Sequence, residues 1–522
     1  MTFTQWILFF FIIQLIHFLG TWRLYIKAGR KAWEAAIPVY NAIVLMKIIN
    51  RPWWWVILLF IPVVNLIMFP VIWVETIRSF GRTSTTDTIL VLVTFGLYIY
   101  YVNYATDAVY KPDRSLEPGS TAGEWISSIL FAVVAATIVH TYILQPFTIP
   151  TSSLEKTLLV GDYLFVSKFH YGARTPITPI AFPMVHDTIP VLGVKSYLNK
   201  PSIPYFRVPG FEQIERNDIV VFNWPIDTVR KFRDQSGRRY DKPIDKKSNY
   251  VKRAVGLPGD SLEIRDGRIY IDNELLQLPE RAKPQYSYSG TSKGQGFDPY
   301  VLYKMYDITD GFYYDPNTNQ FYIQALSEES YQRLKNHPNV ASIEREIAPS
   351  GGKDQKIFPN NRKKDWNGDN MGPIYIPKEG ETIKMNPENF SLYRMVIETY
   401  EGLELGIDNK LSVDGNQVLL NGEPLDSYTF KQDYYWMMGD NRHNSEDSRY
   451  WGFVPENHVV GKPVFIWLSL DPNASGMSKI RWDRMFTTVG GKGEPVSYFP
   501  YFLVILVGLI GYSFFRKKKK KG

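Results

Sequence analysis

The stretch Met438-Gly-Asp-Asn-Arg-His-Asn-Ser-Glu-Asp-Ser-Arg-Tyr-Trp-Gly-Phe-Val-Pro455 is the most informative part of this 522-residue chain. Charged, amide and hydroxyl side chains fill most of it, and the largely apolar run 451–455 ends it. A surface loop held by salt bridges has a similar composition, but the apolar end argues against full exposure. Because buried polar groups need hydrogen-bond partners, we expect a folded loop whose side chains satisfy one another.

A second informative stretch lies upstream and reads Tyr250-Val-Lys-Arg-Ala-Val-Gly-Leu-Pro-Gly-Asp260. In a strand, Lys252 and Ala254 share one face. A lysine in a strand is usually solvated, and its pKa is then about 10.4. Burial beside apolar walls lowers that pKa by up to about 3–5 units, which leaves a neutral amine near pH 7. A neutral lysine is able to accept the proton of a serine hydroxyl.

A third stretch directly follows an apolar segment and reads Gln145-Pro-Phe-Thr-Ile-Pro-Thr-Ser-Ser-Leu-Glu-Lys-Thr-Leu158. A serine a few residues after a membrane span lies at the membrane surface. Serine-rich turns are often only turns, so this stretch alone does not make Ser153 a nucleophile.

Together the three stretches resemble the type I signal peptidases, which are serine/lysine proteases. The family pattern Gly-Asp-Asn-Arg-x-Asn-Ser-x-Asp-Ser-Arg-x-Trp-Gly is present from Gly439 to Gly452, and the lysine stretch matches without a gap. The likeness covers most of 125–470 and leaves room for an insertion. It implies a membrane-anchored, mainly β catalytic domain with a cap insertion. It also implies an endopeptidase that removes signal peptides after small residues at positions −1 and −3.

The resemblance also implies roles for individual residues. Ser153 matches the nucleophile and Lys252 the general base, while the Thr151 hydroxyl joins the Ser153 backbone N–H in the oxyanion hole. Ser445 matches the residue that orients the lysine. The residues that brace the site match Asp440, Asp447 and Arg449, and those that line the substrate pockets match Phe147, Ile149, Leu154 and Val251. No metal or cofactor is implied.

The chain departs from the family pattern at three places. The family often has Met-x-Pro after the nucleophile, where this chain has Leu154-Glu155-Lys156, so the backbone is not restrained by proline. Ser152 stands where glycine is common and is a rival nucleophile. His443 replaces a common aspartate and allows a Ser/His alternative, although that alternative leaves the lysine stretch without a role.

Hydropathy predicts about five transmembrane helices, at 6–19, 53–77, 88–104, 125–144 and 501–515, with a weaker interfacial stretch at 35–49. The basic clusters at 23–31, 111–114 and 516–521 are expected in the cytoplasm. The roughly 350 residues between the last two spans then lie outside. These features predict a multi-pass protein, and the resemblance implies that the membrane is the bacterial inner membrane and that the catalytic domain is periplasmic.

The composition of the chain limits the partners and the covalent cross-links that can be expected. Six of the seven net positive charges belong to the C-terminal run, so nucleic-acid binding is not expected. The absence of cysteine excludes disulfides. The expected partners are signal peptides of exported preproteins, the lipid bilayer and the protein export machinery.

The middle of the chain is expected to be β-rich. Hairpins are predicted around Asp266-Gly267 and Asn421-Gly422, a helix at 327–335 and a loop-rich stretch at 350–370. The predicted divisions are an N-terminal multi-span region (1–110), a cytoplasmic linker (111–124), an anchor (125–144), a first part of the catalytic core (145–273), a cap or insertion domain (274–430), a second part of the core (431–485), a C-terminal transmembrane helix (501–515) and a basic cytoplasmic tail (516–522).

Two other classes of function are open on sequence grounds. A non-enzymatic membrane scaffold or transport-associated protein with an outer β domain is one, because the first 124 residues do not look like a simple anchor. The polar residues inside its spans are few: Gln14, His17, Asn65 and His140. A self-cleaving repressor with a Ser/Lys dyad is the other, but the membrane spans and the lack of a DNA-binding pattern argue against it.

Overall fold

The computed structural model describes residues 2–229, 237–360 and 364–519. These residues form two compact units. The first comprises the chain up to Ile143 together with Arg174–Val208, and the second comprises Leu144–Ala173 and the chain from Pro209 onward. The end of the predicted cytoplasmic tail, 520–522, lies outside the described residues.

The first unit is helical. Its helices are α1 (Phe3–Lys27), α2 (Tyr40–Ile48), α3 (Trp55–Leu58), α4 (Asn65–Ser79), α5 (Thr85–Val93), α6 (Tyr98–Ala105) and α7 (Thr121–Ile138). A π-helical turn, Val139–Ile143, prolongs α7. Thr2 caps α1 through a reciprocal pair of hydrogen bonds with Gln5, because its hydroxyl accepts from a backbone N–H that no helical carbonyl could satisfy.

The prediction of about five transmembrane helices is wrong. Among the described residues, two helices are long and apolar enough to cross a membrane, Phe3–Lys27 and Thr121–Ile143. A third crossing is possible only if α5 and α6, which meet at an angle of 120°, count as one broken span. The predicted C-terminal span is the shorter apolar helix Phe499–Phe514.

Backbone breaks explain why the other apolar stretches are not single long helices. Pro62 and the left-handed Val63, with a φ of 70, lie between α3 and α4, and a left-handed residue ends a right-handed helix. Between α5 and α6, Gly96 has a φ of 84, and a Cβ there would approach the Trp73 ring to 2.8 Å. With 9 and 8 residues, α5 and α6 are each far shorter than the ~30 Å hydrocarbon core.

Residues Arg174–Val208 form an antiparallel arm within the first unit. Isolated bridges join Arg174 to Arg207, Ala181 to Tyr197 and Thr188 to Lys195. The arm contacts α1, because the Trp6 indole N–H donates to the Ser202 carbonyl at 2.9 Å. At its tip, Val191 and Leu192 are exposed to 105% and 68%. The arm is therefore attached to the N-terminal end of α1 at Ser202, and its apolar tip is exposed.

The second unit is mainly β. Its strands are β1 (Leu144–Thr148), β2 (Asp162–Ser167), β3 (Ile219–Asn223), β4 (Asn249–Gly256), β5 (Ser261–Arg265), β6 (Arg268–Ile271), β7 (Glu274–Leu275), β8 (Gln285–Ser292), β9 (Phe312–Asp315), β10 (Gln320–Ser327), β11 (Val340–Arg345), β12 (Met371–Tyr375), β13 (Thr382–Lys384), β14 (Leu411–Asp414), β15 (Gln417–Leu420), β16 (Glu423–Pro424), β17 (Ser427–Thr429), β18 (Tyr434–Met438), β19 (Val454–Pro455), β20 (Val459–Ser469) and β21 (Thr487–Thr488). Its helices are α8 (Pro299–Tyr306), α9 (Glu328–Leu334), α10 (Phe390–Met395), α11 (Ser448–Trp451) and α12 (Phe499–Lys519).

Eight strands of the second unit form one sheet, in the order β1-β2-β20-β3-β4-β18-β19, with β21 beside β20. Irregularities in register interrupt the pairing of β20 with both β2 and β3. Such bulges increase local twist, so the sheet curls. The β1–β2 loop, β4 and the segment after β18 carry the three stretches singled out from the sequence.

The insertion between β4 and β18 contains smaller sheets. Strands β11-β8-β10-β9 form one of them and β12-β5-β6-β7 another, while β14-β15-β16 form a three-stranded sheet. The predicted hairpins are present, with Asn421 in the left-handed region where a tight turn requires it. The predicted helix is α9, and Ser327 caps it by accepting from the Ser330 N–H.

Candidate active site

The β1–β2 loop presents Ser153 from a short 3₁₀ turn, Ser152–Leu154. Two backbone hydrogen bonds close the base of this loop, from the Ile149 N–H to the Asp162 carbonyl and from the Gly161 N–H to the Ile149 carbonyl. Leu154 anchors the turn, because it is 1% exposed and packs in an apolar cluster. Ser153 is consequently held in one place and is itself buried.

Lys252 meets Ser153 from strand β4. Its partner across the sheet is Val220 of β3, and this register directs Lys252 toward the interior, where it is 3% exposed. The Lys252 Nζ lies 2.7 Å from the Ser153 Oγ and 3.1 Å from the Val251 carbonyl oxygen. The two residues are 99 positions apart in the chain, and folding brings them to hydrogen-bond distance.

Burial shapes the electrostatics of this pair. Removal from water lowers the pKa of Lys252 from its usual value to about 8, although the carboxylates of Asp447, Glu446 and Asp440 oppose the change. A substantial fraction of the lysine is then neutral at a mildly alkaline pH. A neutral amine at 2.7 Å from a hydroxyl is suited to general-base chemistry.

The segment after β18 supports the nucleophile from a second side. A Cβ on Gly439 would lie 2.5 Å from the Ser153 carbonyl oxygen and 2.3 Å from the Ser445 Oγ, so only glycine fits there. Asn441 donates its backbone N–H to the Ser153 carbonyl at 3.1 Å. Its side-chain amide donates to the Ser152 carbonyl, also at 3.1 Å.

Two buried carboxylate–arginine pairs brace the site. Arg449 donates to both oxygens of Asp447 at 2.8 Å, and Arg253 donates to those of Asp440 at 2.8 and 2.6 Å. Burial by itself would raise the pKa of each carboxyl, but the adjacent guanidinium outweighs burial and keeps both pKa values below the usual range. Both carboxylates are therefore ionised and rigidly placed.

Two predicted site residues are close to the dyad without a contact that defines their role. Ser445 is buried, and its hydroxyl faces the Asp447 carboxylate and favours its ionised form, but within 2–229, 237–360 and 364–519 it makes no hydrogen bond to Lys252 at standard distance and angle. Its role in orienting Lys252 stays a prediction. Thr151 is exposed and lies two residues before Ser153, in extended backbone.

The four predicted pocket residues lie together beside the dyad. Ile149 and Leu154 are buried in one apolar cluster, and Phe147 packs against a neighbouring one. Val251 is partly buried and contacts both clusters. Ile149 and Leu154 belong to the buried core, so the partly exposed apolar side chains of the four are those of Phe147 and Val251.

The rivals to the Ser153–Lys252 pair are engaged elsewhere. The His443 ring contacts the Asp369 carboxylate at 3.0 Å through Nε2 and the Ser287 N–H at 2.9 Å through Nδ1. The Ser152 hydroxyl accepts from the Asn444 side chain at 3.0 Å. The lysine contact is made by Ser153 alone of the two serines.

Sequence reasoning missed several supporting residues. Arg253 pairs with Asp440, and the signal for this is its position directly after Lys252, which turns its side chain to the opposite face of β4. Gln285, from the insertion, donates to the Glu155 carbonyl at 3.0 Å. Asp369 belongs to a turn-rich stretch whose sequence suggested no chemistry, yet it holds His443.

Comparisons with known proteins agree with this geometry. The profile of the family described as signal peptidase, peptidase S26, matches residues 122–321 and 380–468, more than half of the chain. A family of unknown function, DUF5684, matches residues 33–113. The second match covers most of the short helices of the first unit and assigns them no activity.

Several curated relatives are similar over most of their length. The signal peptidase I of Buchnera aphidicola (subspecies Acyrthosiphon pisum) is 28% identical over 351 residues, 67% of this chain and 76% of the relative. That of Helicobacter pylori is 26% identical over 383 residues, 70% of this chain and 92% of the relative. That of Haemophilus influenzae is 26% identical over 383 residues, covering 72% and 78%. With its family profile matched across the catalytic core, this chain belongs to the signal peptidase family, peptidase S26.

Proposed function

We propose that this chain is a serine endopeptidase that removes signal peptides from exported preproteins, with Ser153 as nucleophile and neutral Lys252 as general base. The observation that carries the assignment is the 2.7 Å contact between the Lys252 Nζ and the Ser153 Oγ inside a buried site. The reported relatives are all signal peptidase I, which favours the enzyme over a non-enzymatic scaffold.

The reaction proceeds through an acyl-enzyme. Lys252 accepts the hydroxyl proton as the Ser153 Oγ attacks the scissile carbonyl carbon. The Ser153 N–H and the Thr151 hydroxyl stabilise the oxyanion of the tetrahedral intermediate. The protonated lysine then gives its proton to the leaving amine, and in the second half it activates the water that hydrolyses the acyl ester.

The surrounding residues prepare this chemistry. Ser445 orients the lysine, and the Asp440 and Asp447 carboxylates with Arg449 hold the segment that carries it. Small side chains at −1 and −3 of the substrate bind on the apolar surface formed by Phe147, Ile149, Leu154 and Val251. The support for this specificity is the clustering of these side chains beside Ser153.

We further propose that the protein lies in the bacterial inner membrane as a multi-pass protein, with its catalytic domain on the periplasmic side. Basic residues follow α1 and precede α7, as expected for cytoplasmic loops. The arm, which comes after α7 in the chain, contacts the N-terminal end of α1 through Trp6. Both helix ends then face the same, outer side. The bilayer and the export machinery are the expected partners besides the signal peptide.

The domain plan follows from this placement. Residues 1–110 form the N-terminal membrane region and 125–144 the anchor, joined by the linker 111–124. The catalytic core is assembled from 145–273 and 431–485, around the cap of 274–430. The remaining parts are the C-terminal apolar helix at 501–515 and the basic tail at 516–522.

Cleavage of a precursor with a small-x-small signal site tests the assignment. Wild type is expected to cleave in liposomes, and Ser153→Ala and Lys252→Ala are each expected to lower kcat/KM by several orders of magnitude, because they act as one unit. Ser152→Ala is the matched control and should keep most of the activity. Near wild-type cleavage by Lys252→Ala would overturn the mechanism, and an inert wild type would overturn the function.

A further inference from the structure

The backbone just after the nucleophile has an unusual conformation. Lys156 is a non-glycine residue with φ at 72, in the left-handed region that side chains disfavour. The family often has proline at this position, and proline holds φ near −65°. The loop of this chain therefore follows a path that a proline could not adopt, and something else has to hold it.

Contacts from the insertion hold this residue. The Lys156 Nζ lies 2.8 Å from the Asp307 Oδ1 and 3.2 Å from the Thr309 Oγ1. Asp307 is itself left-handed, with φ at 54, and ends α8. The Lys156 side chain is 10% exposed, so its ammonium depends on these partners for the hydrogen bonds that water would otherwise provide.

The same insertion segment makes a second contact with the site. Asp310 accepts a hydrogen bond from the Asn441 side chain at 2.9 Å. Asn441 in turn donates to the carbonyl oxygens of Ser152 and Ser153, at 3.1 Å each. Residues 307–310 are thus connected to Ser153 in two ways. Asp307 and Thr309 contact Lys156, which is three positions after Ser153. Asp310 contacts Asn441, which supports the Ser153 backbone.

We propose that Lys156 is a positioning residue, and that its ion pair with Asp307 allows the insertion to hold the Ser153 Oγ at the Lys252 Nζ. The inference rests on the proposed function and deepens it. Displacement of a reacting atom by about 1 Å lowers rates by about 100-fold, so a tether three residues from the nucleophile affects the chemical step. It affects substrate binding little, because Lys156 is not among the residues proposed for the substrate pockets.

The test uses the full-length protein in liposomes and a precursor with a small-x-small site. Lys156→Ala, Asp307→Ala and the double variant are each expected to lower kcat tenfold or more while KM stays within about twofold. The double variant should be no worse than the more damaging single one, because both remove the same contact. Lys156→Arg keeps the charge and should restore most of kcat. Lys293→Ala, an exposed lysine of the insertion, is the control and should behave as wild type.

Lys156→Gly separates the tether from backbone strain. Glycine adopts a φ of 72 without strain but has no ammonium, so kcat should fall as in Lys156→Ala. A wild-type kcat for Lys156→Gly or Asp307→Ala would overturn the proposal, as would additive effects in the double variant. In that event, cleavage by wild type and its loss in Ser153→Ala would leave the proposed function intact, whereas an inert wild type would refute the function itself.

Discussion

The reactivity of Ser153 depends on one buried lysine. Lys252 is 3% exposed and approaches the hydroxyl to 2.7 Å, while the carboxylates of Asp440 and Asp447 are each paired with an arginine. Because these charges are already neutralised locally, they do not hold the lysine fully protonated. The site thus lowers the pKa of its base mainly by excluding water.

The pH dependence of cleavage should report this lysine. Burial lowers the pKa of Lys252 to about 8, and the neutral form is the base, so kcat/KM should rise about tenfold per pH unit below pH 8 and level off above it. Initial rates of precursor cleavage across pH 6 to 10 measure the profile. Lys293→Ala should leave it unchanged. A kcat/KM that stays constant from pH 6 to 8 would contradict Lys252 as the base.

The Asp447–Arg449 pair should be essential for stability as well as activity. Both side chains are almost fully buried, and Asp447→Asn would leave the guanidinium without its counter-charge. We expect unfolding free energy to fall by about 3–5 kcal/mol, as for other broken buried pairs. Denaturant unfolding in detergent provides the measurement, and Asp414→Asn, on an exposed hairpin, should change it by less than about 0.5 kcal/mol. An unchanged stability for Asp447→Asn would contradict the bracing role.

Among the elements, the arm combines an exposed apolar tip with an attachment to a membrane-spanning helix. Val191 and Leu192 lie at its tip, and the Trp6–Ser202 hydrogen bond fixes its base at the N-terminal end of α1. Apolar side chains that are exposed beside a bilayer are stabilised by insertion into its interfacial region. We therefore expect the tip to contact lipid.

The absence of cysteine makes this expectation simple to test. Val191→Cys, labelled with an environment-sensitive fluorophore in liposomes, should show blue-shifted emission and be quenched by lipids that carry a quencher on the acyl chain. Asn317→Cys, on an exposed polar turn, is the control and should show neither effect. Emission from position 191 typical of water, with no quenching by lipid, would contradict the contact.

Apolar elements also show where prediction from sequence reached its limit. Hydropathy depends on composition and correctly identified α1 and α7 as long apolar helices. It could not foresee the break at Gly96, which depends on the close approach of the Trp73 ring from another helix. Tertiary contacts of this kind decide whether an apolar stretch is one long helix or two short ones.

For the molecule as a whole, short-range patterns predicted the chemistry better than the architecture. Turn residues predicted the hairpins, and the three stretches predicted which side chains would meet at the site. The contacts of the insertion with that site, through Gln285, Asp307 and Asp369, could not be predicted. The contacts of Gln285 and Asp307 join residues more than a hundred positions apart. Asp369 belongs to a turn without a recognisable sequence pattern.

The orientation of the whole chain is open to direct measurement. Single cysteines at Thr2, Glu117 and Asn317 can be labelled in spheroplasts with a membrane-impermeant maleimide. Positions 2 and 317 should react in intact spheroplasts, and position 117 only after permeabilisation, because basic loops are retained in the cytoplasm. Reaction of position 117 in intact spheroplasts would contradict the periplasmic placement of the catalytic domain.

Ser153 is far along the sequence from Lys252 and from the segment that braces both residues, and this has a consequence for biosynthesis. The contacts of Ser153 and its neighbour Ser152 join residues 99 and 289 positions apart, so the site is incomplete until the ribosome has passed the end of the insertion. On an unfinished chain the lysine is hydrated, retains its proton and cannot activate a hydroxyl. A nascent copy is thus inert, and its proteolytic activity begins only with completed folding.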